Sequence, residues 1–259
     1  MRGALGSAWL PASDPTAFFR SSGTAPMVGC VGVMAGPLWA EQTGTGEPLV
    51  LLHGNGESHR VFDRMVPLLA PRHRLVALDS RGSGGSPRGG GELTIARMAD
   101  DVDAALDALE LKGVDVLGFS DGGNIALELA LRHPGRIGRL VVVGANLFPE
   151  GLTQSALLPT RLVHGGVRLV AHPRARSYAE RLALMTKDPR IDPADLARVD
   201  MPALVVVGRH DLIRPEHSRL IATSLPNARL ATVEHAGHML PVTHAARLAR
   251  IVEDFLALP

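Results

Sequence analysis

Ser120, Asp211 and His238 are the residues whose types and spacing could do chemistry. Ser120 stands inside Gly118-Phe119-Ser120-Asp121-Gly122, a fit to G-x-S-x-G. Asp211 follows Gly208-Arg209-His210, and His238 closes Glu234-His235-Ala236-Gly237-His238. A serine hydroxyl is a poor nucleophile at neutral pH. It needs a base within hydrogen-bond reach, and that base needs a carboxylate to orient it. Serine, then acid, then histidine, each just past a strand, is one chain order in which such sets occur. The chemistry expected is nucleophilic attack on a carbonyl carbon.

Each assignment has a duller rival. Asp211 could be a turn or helix-cap residue. The competing position for the acid, the end of the sixth strand, holds Asn146, an amide that cannot carry the charge. His235 competes with His238, but His238 lies beyond the flexible Gly237 and further from the strand, so His235 reads as structural. His210, His217 and His244 read as surface or packing residues.

Charge developing on a carbonyl oxygen needs N–H donors, and losing one costs ~3–4 kcal/mol. The backbone N–H of Asp121, next to the serine, is one expected donor. The other is expected from His53-Gly54-Asn55-Gly56-Glu57, at Asn55 with Gly56 as runner-up, because glycines let that loop turn N–H groups inward. The Asp121 carboxylate is expected to do no more than favour a helix N-terminus.

These residues need a frame, and the chain alternates strand and helix as a mostly parallel sheet requires. Residues 27–40 predict one or two strands, and Leu49–His53 and Leu75–Leu78 two more, with a short helix over Val61–Leu69. Ile95, Met98, Ala99, Val102, Ala105, Leu106 and Leu109 recur at helical spacing. Asp100, Asp101, Asp103 and Asp107 between them read as the solvated face of that helix. Val114–Leu117 is the strand before the serine turn, and a helix follows it. Leu140–Val143, Ala203–Val207 and Arg229–Val233 are further strands, with helices near Pro215–Ser224 and Thr243–Leu256. The loop Asp79-Ser80-Arg81-Gly82-Ser83-Gly84-Gly85-Ser86 lacks the Gly-Lys-Ser/Thr ending of a phosphate loop and reads as a turn with an internal Asp79–Arg81 contact. The rhythm breaks over 148–196. The expected organisation is a flexible tail over 1–25, a core over 26–147, a helical lid over 148–196 and the rest of the core over 197–259.

Composition narrows the class. The 259 residues are 46% hydrophobic with a formal net charge of +1, so no global field points to nucleic acid or an anionic membrane. No apolar run approaches the ~18 residues needed to span a bilayer. The single cysteine, Cys30, excludes an intramolecular disulfide, fits a reducing, cytoplasmic setting, and reads as a packed apolar residue. No metal-ligand spacing is found.

The chain resembles the α/β-hydrolase family. The matching pieces are His53-Gly54-Asn55-Gly56, Asp79 to Ser86, Gly118 to Gly123, Gly208 to Asp211 and His235 to His238, spread over roughly residues 27–258. The resemblance implies an α/β fold with an eight-stranded sheet flanked by helices, a lid after the sixth strand, a Ser-Asp-His triad and no cofactor. Ser120 to Gly123 followed by Gly144-Ala145-Asn146 is similar to the biphenyl-hydrolase-like esterases, which include valacyclovir hydrolase. A serine at the nucleophile position argues against the haloalkane dehalogenase and epoxide hydrolase members, which use aspartate there.

The activity expected is hydrolysis of a small carboxylic ester through an acyl-enzyme. Lactone, thioester or carbon–carbon bond hydrolysis, a lyase or cyclase, and a ligand receptor of the same shape remain as alternatives. Neither nucleic acid nor membrane is an expected partner, and monomer and homodimer both stay open. Residues 161–190 carry Arg161, Arg168, Arg174, Arg176, Arg181, Lys187 and Arg190 against Glu180 and Asp188, which suggests an anionic substrate or carrier, or simply a solvated basic face. The lid residues Leu152, Leu157, Leu158, Leu162, Val163, Leu182, Leu184 and Met185 either line an apolar acyl pocket or pack the lid on the core.

Overall fold

The computed structural model describes residues 29–258. The tail expected over 1–25 lies outside the described residues. Eight strands form one sheet: β1 (Val31–Ala35), β2 (Leu38–Thr43), β3 (Glu47–Leu52), β4 (His73–Asp79), β5 (Val114–Phe119), β6 (Ile137–Val143), β7 (Ala203–Gly208) and β8 (Ala228–Val233). Their spatial order is β1-β2-β4-β3-β5-β6-β7-β8. β1 and β2 join antiparallel, and every pairing from β4 through β8 is parallel. Covered on both faces, central strands read as continuous apolar runs rather than alternating ones. β5 and β7 show this, being buried at every position.

The helices are α1 (Val66–Leu69), α2 (Ile95–Ala108), α3 (Asp121–Arg132), α4 (Gln154–Val167), α5 (Pro173–Thr186), α6 (Pro215–Ser224), α7 (Leu240–Thr243) and α8 (Ala245–Leu256). The expected helix over Val61–Leu69 is broken into a 3₁₀ turn and α1, and the last expected helix is broken at His244. Thr94 starts α2 by accepting the Arg97 N–H at 3.2 Å. Ile95, Met98, Ala99, Val102, Ala105 and Leu106 then go into the core on the sheet face shared with α3 and α6. Phe62, Met65, Leu248, Val252 and Phe255 fill the other face. α4 and α5 form an insertion after β6, as expected for the fold.

Three expectations fail here. Arg81 does not turn back on Asp79. It pairs with Asp101 on α2, with Arg81 Nε donating at 2.7 Å, while Asp79 accepts from the Gly85 N–H and from His59. The aspartates of α2 are therefore only in part a solvated face: Asp101 is buried and Asp103 mostly so, while the side chains of Asp100 and Asp107 stay exposed, Asp100 taking Arg132 and His133, and Asp103 and Asp107 taking Arg136. They hold the helix to the loop after β4 and to the end of α3 and the turn that follows it. Cys30 is exposed just before the edge strand β1, where no further strand of the described residues pairs.

Candidate active site

Five loops leave the carboxyl edge of the parallel strands, where ligands bind in open α/β sheets. They follow β3, β5, β6, β7 and β8, and they bring together residues far apart in the chain. Ser120 follows β5 directly, with φ 54° and ψ −121°, in the left-handed region that side chains avoid. The strain is held by its neighbours. A Cβ on Gly122 would run into the Leu52 carbonyl, and a Cβ on Gly118 into Gly122, so only glycine lets the helix start this close to the strands. The Ser120 N–H donates to Val143 O at 2.7 Å, tying the turn to β6.

His238, 118 residues later, reaches this serine: its Nε2 lies 3.0 Å from Ser120 Oγ. Its Nδ1 lies 2.7 Å from Asp211 Oδ1. With Asp211 Oδ1 as the acceptor, Nδ1 carries the proton and Nε2 is free to take one from the hydroxyl. Asp211 is fixed in turn, Oδ1 accepting the Ile213 N–H at 3.1 Å and Oδ2 the Gly208 N–H at 3.3 Å. Its side chain is 1% exposed. Phe119 flanks the imidazole, ring centroids 5.1 Å apart. The three side chains singled out from the sequence thus form one hydrogen-bonded chain.

The two expected N–H donors also meet here. Asn55 and Asp121 both line the cavity at Ser120, and neither backbone N–H has an acceptor among the described residues. The Asn55 side chain donates to Arg181 O at 2.8 Å, anchoring the loop to α5. Beneath it His53 is buried, and its Nε2 accepts the Ser80 N–H at 2.9 Å. Burial holds the His53 ring well below its ordinary pKa, which keeps that nitrogen an acceptor.

His235 sits at φ 58°, a turn residue, and His210 is exposed. His217 is a packing residue: it is buried, its Nε2 accepts the Leu147 N–H at 2.8 Å, and Phe148 meets it edge-on at 4.6 Å.

The cavity holds about 160 Å³. For comparison, an apolar cavity of about 150 Å³ takes benzene. Phe119, Leu152, Met185, Leu212, Ile213 and Met239 give it an apolar wall. Of the lid residues named from sequence, Leu152 and Met185 line it. Leu157 packs behind, Leu182 and Leu184 are buried, and Leu158, Leu162 and Val163 are exposed. None of the insertion's cations lines it. Arg161 pairs with Glu150, Arg181 donates to Gly82 O, and Arg190 donates to Lys187 O.

Besides His238, the titratable groups in the wall are the carboxyls of Glu57 and Asp121. Burial pushes the Asp121 carboxyl up to about 7, with the negative Asp188 adding to it. Desolvation therefore outweighs the helix-end field expected to keep it ionised. Among the described residues Asp121 Oδ2 is buried without a partner, while Oδ1 accepts from Asn124 at 3.2 Å. Asn124 also donates to Asn146 Oδ1 at 3.2 Å, so Asn146 serves this network. Glu57, unassigned from sequence, is likewise pushed up to about 7 by burial. Its signal was a carboxylate three residues after Gly54, in the very loop expected to turn its backbone toward the serine.

Comparison with known proteins agrees with the fold. The profile of the alpha/beta hydrolase fold family matches residues 47–162. A 2-hydroxymuconate semialdehyde hydrolase of Pseudomonas putida is 32% identical, over 83% of this chain and 88% of its own. The chain belongs to the α/β-hydrolase fold family. A pimeloyl-[acyl-carrier protein] methyl ester esterase of Aeromonas hydrophila subsp. hydrophila is 29% identical to this α/β-hydrolase, over 83% of this chain and 98% of its own. Among solved structures, a thermophilic esterase from Thermogutta terrifontis with malate bound matches the α/β-hydrolase with a TM-score of 0.72. It is 25% identical, over 88% of this chain and 97% of that one. Among the described residues of the α/β-hydrolase, no helix is long and apolar enough to cross a membrane.

Proposed function

We propose that this hydrolase cleaves a carboxylic ester with a small, neutral acyl group, using Ser120 as nucleophile, His238 as base and Asp211 as the orienting acid. The observation that carries the reading is the chain from Ser120 Oγ to His238 Nε2 at 3.0 Å and from Nδ1 to Asp211 at 2.7 Å, at the edge of an apolar-walled cavity. His238 takes the hydroxyl proton as Ser120 Oγ attacks the carbonyl carbon, an effect worth ~10²–10⁴ in rate. The Asn55 and Asp121 N–H groups receive the oxyanion. The carbon–oxygen bond to the alcohol breaks, and the alcohol leaves with the proton from His238. Water then repeats the two steps on the acyl-enzyme and frees the acid. The α4–α5 insertion acts as a lid whose Leu152 and Met185 bound the acyl group.

A second reading is favoured by the similarity to the 2-hydroxymuconate semialdehyde hydrolase: the same serine attacks a ketone, and a carbon–carbon bond breaks. Among the described residues the wall offers no Lys or Arg to pair the carboxylate of a muconate-type acid, and its apolar side chains favour the neutral ester instead. The test is a fluorophosphonate probe read by intact mass on wild type and Ser120→Ala, followed by p-nitrophenyl esters of increasing acyl length. One adduct on wild type alone, with turnover favouring short acyl chains, is expected. No adduct on wild type would refute the nucleophile. Labelling without ester turnover would favour the second reading.

A further inference from the structure

Two carboxyl groups face the cavity, and the mechanism above uses neither. Asp121 is enclosed at the start of α3, tied to Asn124. Glu57 is half-buried, and its Oε2 accepts the Gly54 N–H at 3.1 Å. No donor among the described residues reaches its Oε1. Glu57 Oε2 and Ser120 Cβ lie 2.8 and 3.0 Å from the point a Cβ on Gly54 would occupy, so the carboxyl is folded against the nucleophile turn.

We propose that Glu57 is a further catalytic residue: anchored through Oε2 on the Gly54 N–H, it works as a neutral acid whose Oε1–H donates to the carbonyl oxygen that gains charge when Ser120 attacks. The proposal rests on the ester-hydrolase reading. Oε2 is committed as an acceptor, so a proton on this carboxyl belongs on Oε1, the oxygen without a protein partner. A carboxylate beside a developing oxyanion in an apolar cavity would oppose the charge, whereas a neutral acid adds a third donor to the two backbone N–H groups. Burial pushes the Glu57 carboxyl up to about 7, against the pull of His238 and with the push of Asp121. Those two are the titratable groups facing it, and the Arg181 guanidinium of α5 lies beyond Gly56. Below that pKa the acid is neutral and donates. Above it the proton leaves, and activity declines.

Because Asp121 is also held at about 7, the test runs in an Asp121→Asn background. The measurement is kcat/KM for a short p-nitrophenyl ester from about pH 5.5 to 9.5, with fluorophosphonate labelling of Ser120 in parallel. In Asp121→Asn alone, kcat/KM is expected to fall at least about tenfold on the alkaline side. Adding Glu57→Gln, which keeps a donor and cannot ionise, is expected to remove that fall, with a plateau lowered by less than about tenfold. Adding Glu57→Leu is expected to lower it about 10²-fold at every pH. An alkaline fall that persists with Glu57→Gln, or a Glu57→Leu plateau equal to that of Glu57→Gln, overturns the proposal while leaving the serine mechanism intact. Absence of a wild-type adduct at Ser120 overturns both.

Discussion

Asp211→Asn keeps the shape of the acid and removes its charge, and the surroundings decide how the amide settles. The Oδ1 site meets two donors, the His238 Nδ1–H at 2.7 Å and the Ile213 N–H at 3.1 Å, whereas the Oδ2 site meets only the Gly208 N–H at 3.3 Å. An NH₂ group placed at Oδ1 would oppose two donors and force His238 into the other tautomer. Placed at Oδ2 it opposes one, at the longer distance. The amide oxygen therefore stays on His238, the tautomer is kept, and the loss is electrostatic. Two unit charges 4 Å apart attract by about 4 kcal/mol at an effective dielectric constant of 20. Withdrawing that from the imidazolium formed in the transition state lowers kcat about 10³-fold, at 1.36 kcal/mol per decade. The unmade bond at Gly208 also costs roughly 1–3 kcal/mol of stability. Stopped-flow acylation with a p-nitrophenyl ester measures the first, and urea unfolding the second. A variant within tenfold of wild type would refute the role of Asp211. One as inactive as Ser120→Ala would refute the orientation argument and point to the wrong tautomer.

Other perturbations read different parts of the molecule. Ser120→Gly removes the nucleophile and relieves a backbone with φ 54°, so it is expected to raise the urea midpoint, by about 1 kcal/mol in stability, while abolishing ester turnover; an unchanged midpoint would mean the turn is not strained. Arg81→Met leaves Asp101 buried and unpaired, since their side chains are 11% and 9% exposed, and is expected to cost about 3–5 kcal/mol by chemical denaturation; a loss below 1 kcal/mol would contradict the buried pair. Burial holds His217 down at about 4, below its ordinary value near 6.5, so the unfolded chain binds the proton first. Its contribution is fully present above about pH 6.5 and is lost as pH falls toward 4. His217→Gln, which still accepts the Leu147 N–H, is expected to flatten stability against pH in that window, and a slope equal to wild type would exclude His217 as its source.

The serine turn and its partners were legible because their signals are local. G-x-S-x-G between an apolar strand and a helix reports a backbone that only glycine permits on both sides, and the Leu52 carbonyl is what Gly122 must avoid. Asp211 and His238 sat at strand ends that hydrophobic pattern alone could mark. The network Asp121–Asn124–Asn146 and the acid Glu57 carried no such pattern. Their roles come from being packed together at a cavity, and a string of residues does not say which polar groups will be dehydrated in company. The insertion was the least legible part. Its arginines suggested an anionic ligand, yet those with partners here bond to Glu150, Gly82 and Lys187, because long flexible side chains find the nearest acceptor after folding.

What this sequence determined by itself was the alternation of strand and helix, the serine turn, the chain order of Ser120, Asp211 and His238 and the place of the insertion. Each follows from periodicity or from steric limits within a few residues. Only the tertiary structure decided the partners of charge and the state of the acids. Arg81 chose Asp101 over Asp79, Cys30 was left exposed, the leucine-rich insertion gave Leu152 from its first turn and Met185 from α5 to the cavity, and Glu57 and Asp121 came to share it. Coulomb attraction and desolvation depend on distance and burial in space. Those are fixed only once segments a hundred residues apart have packed against one another.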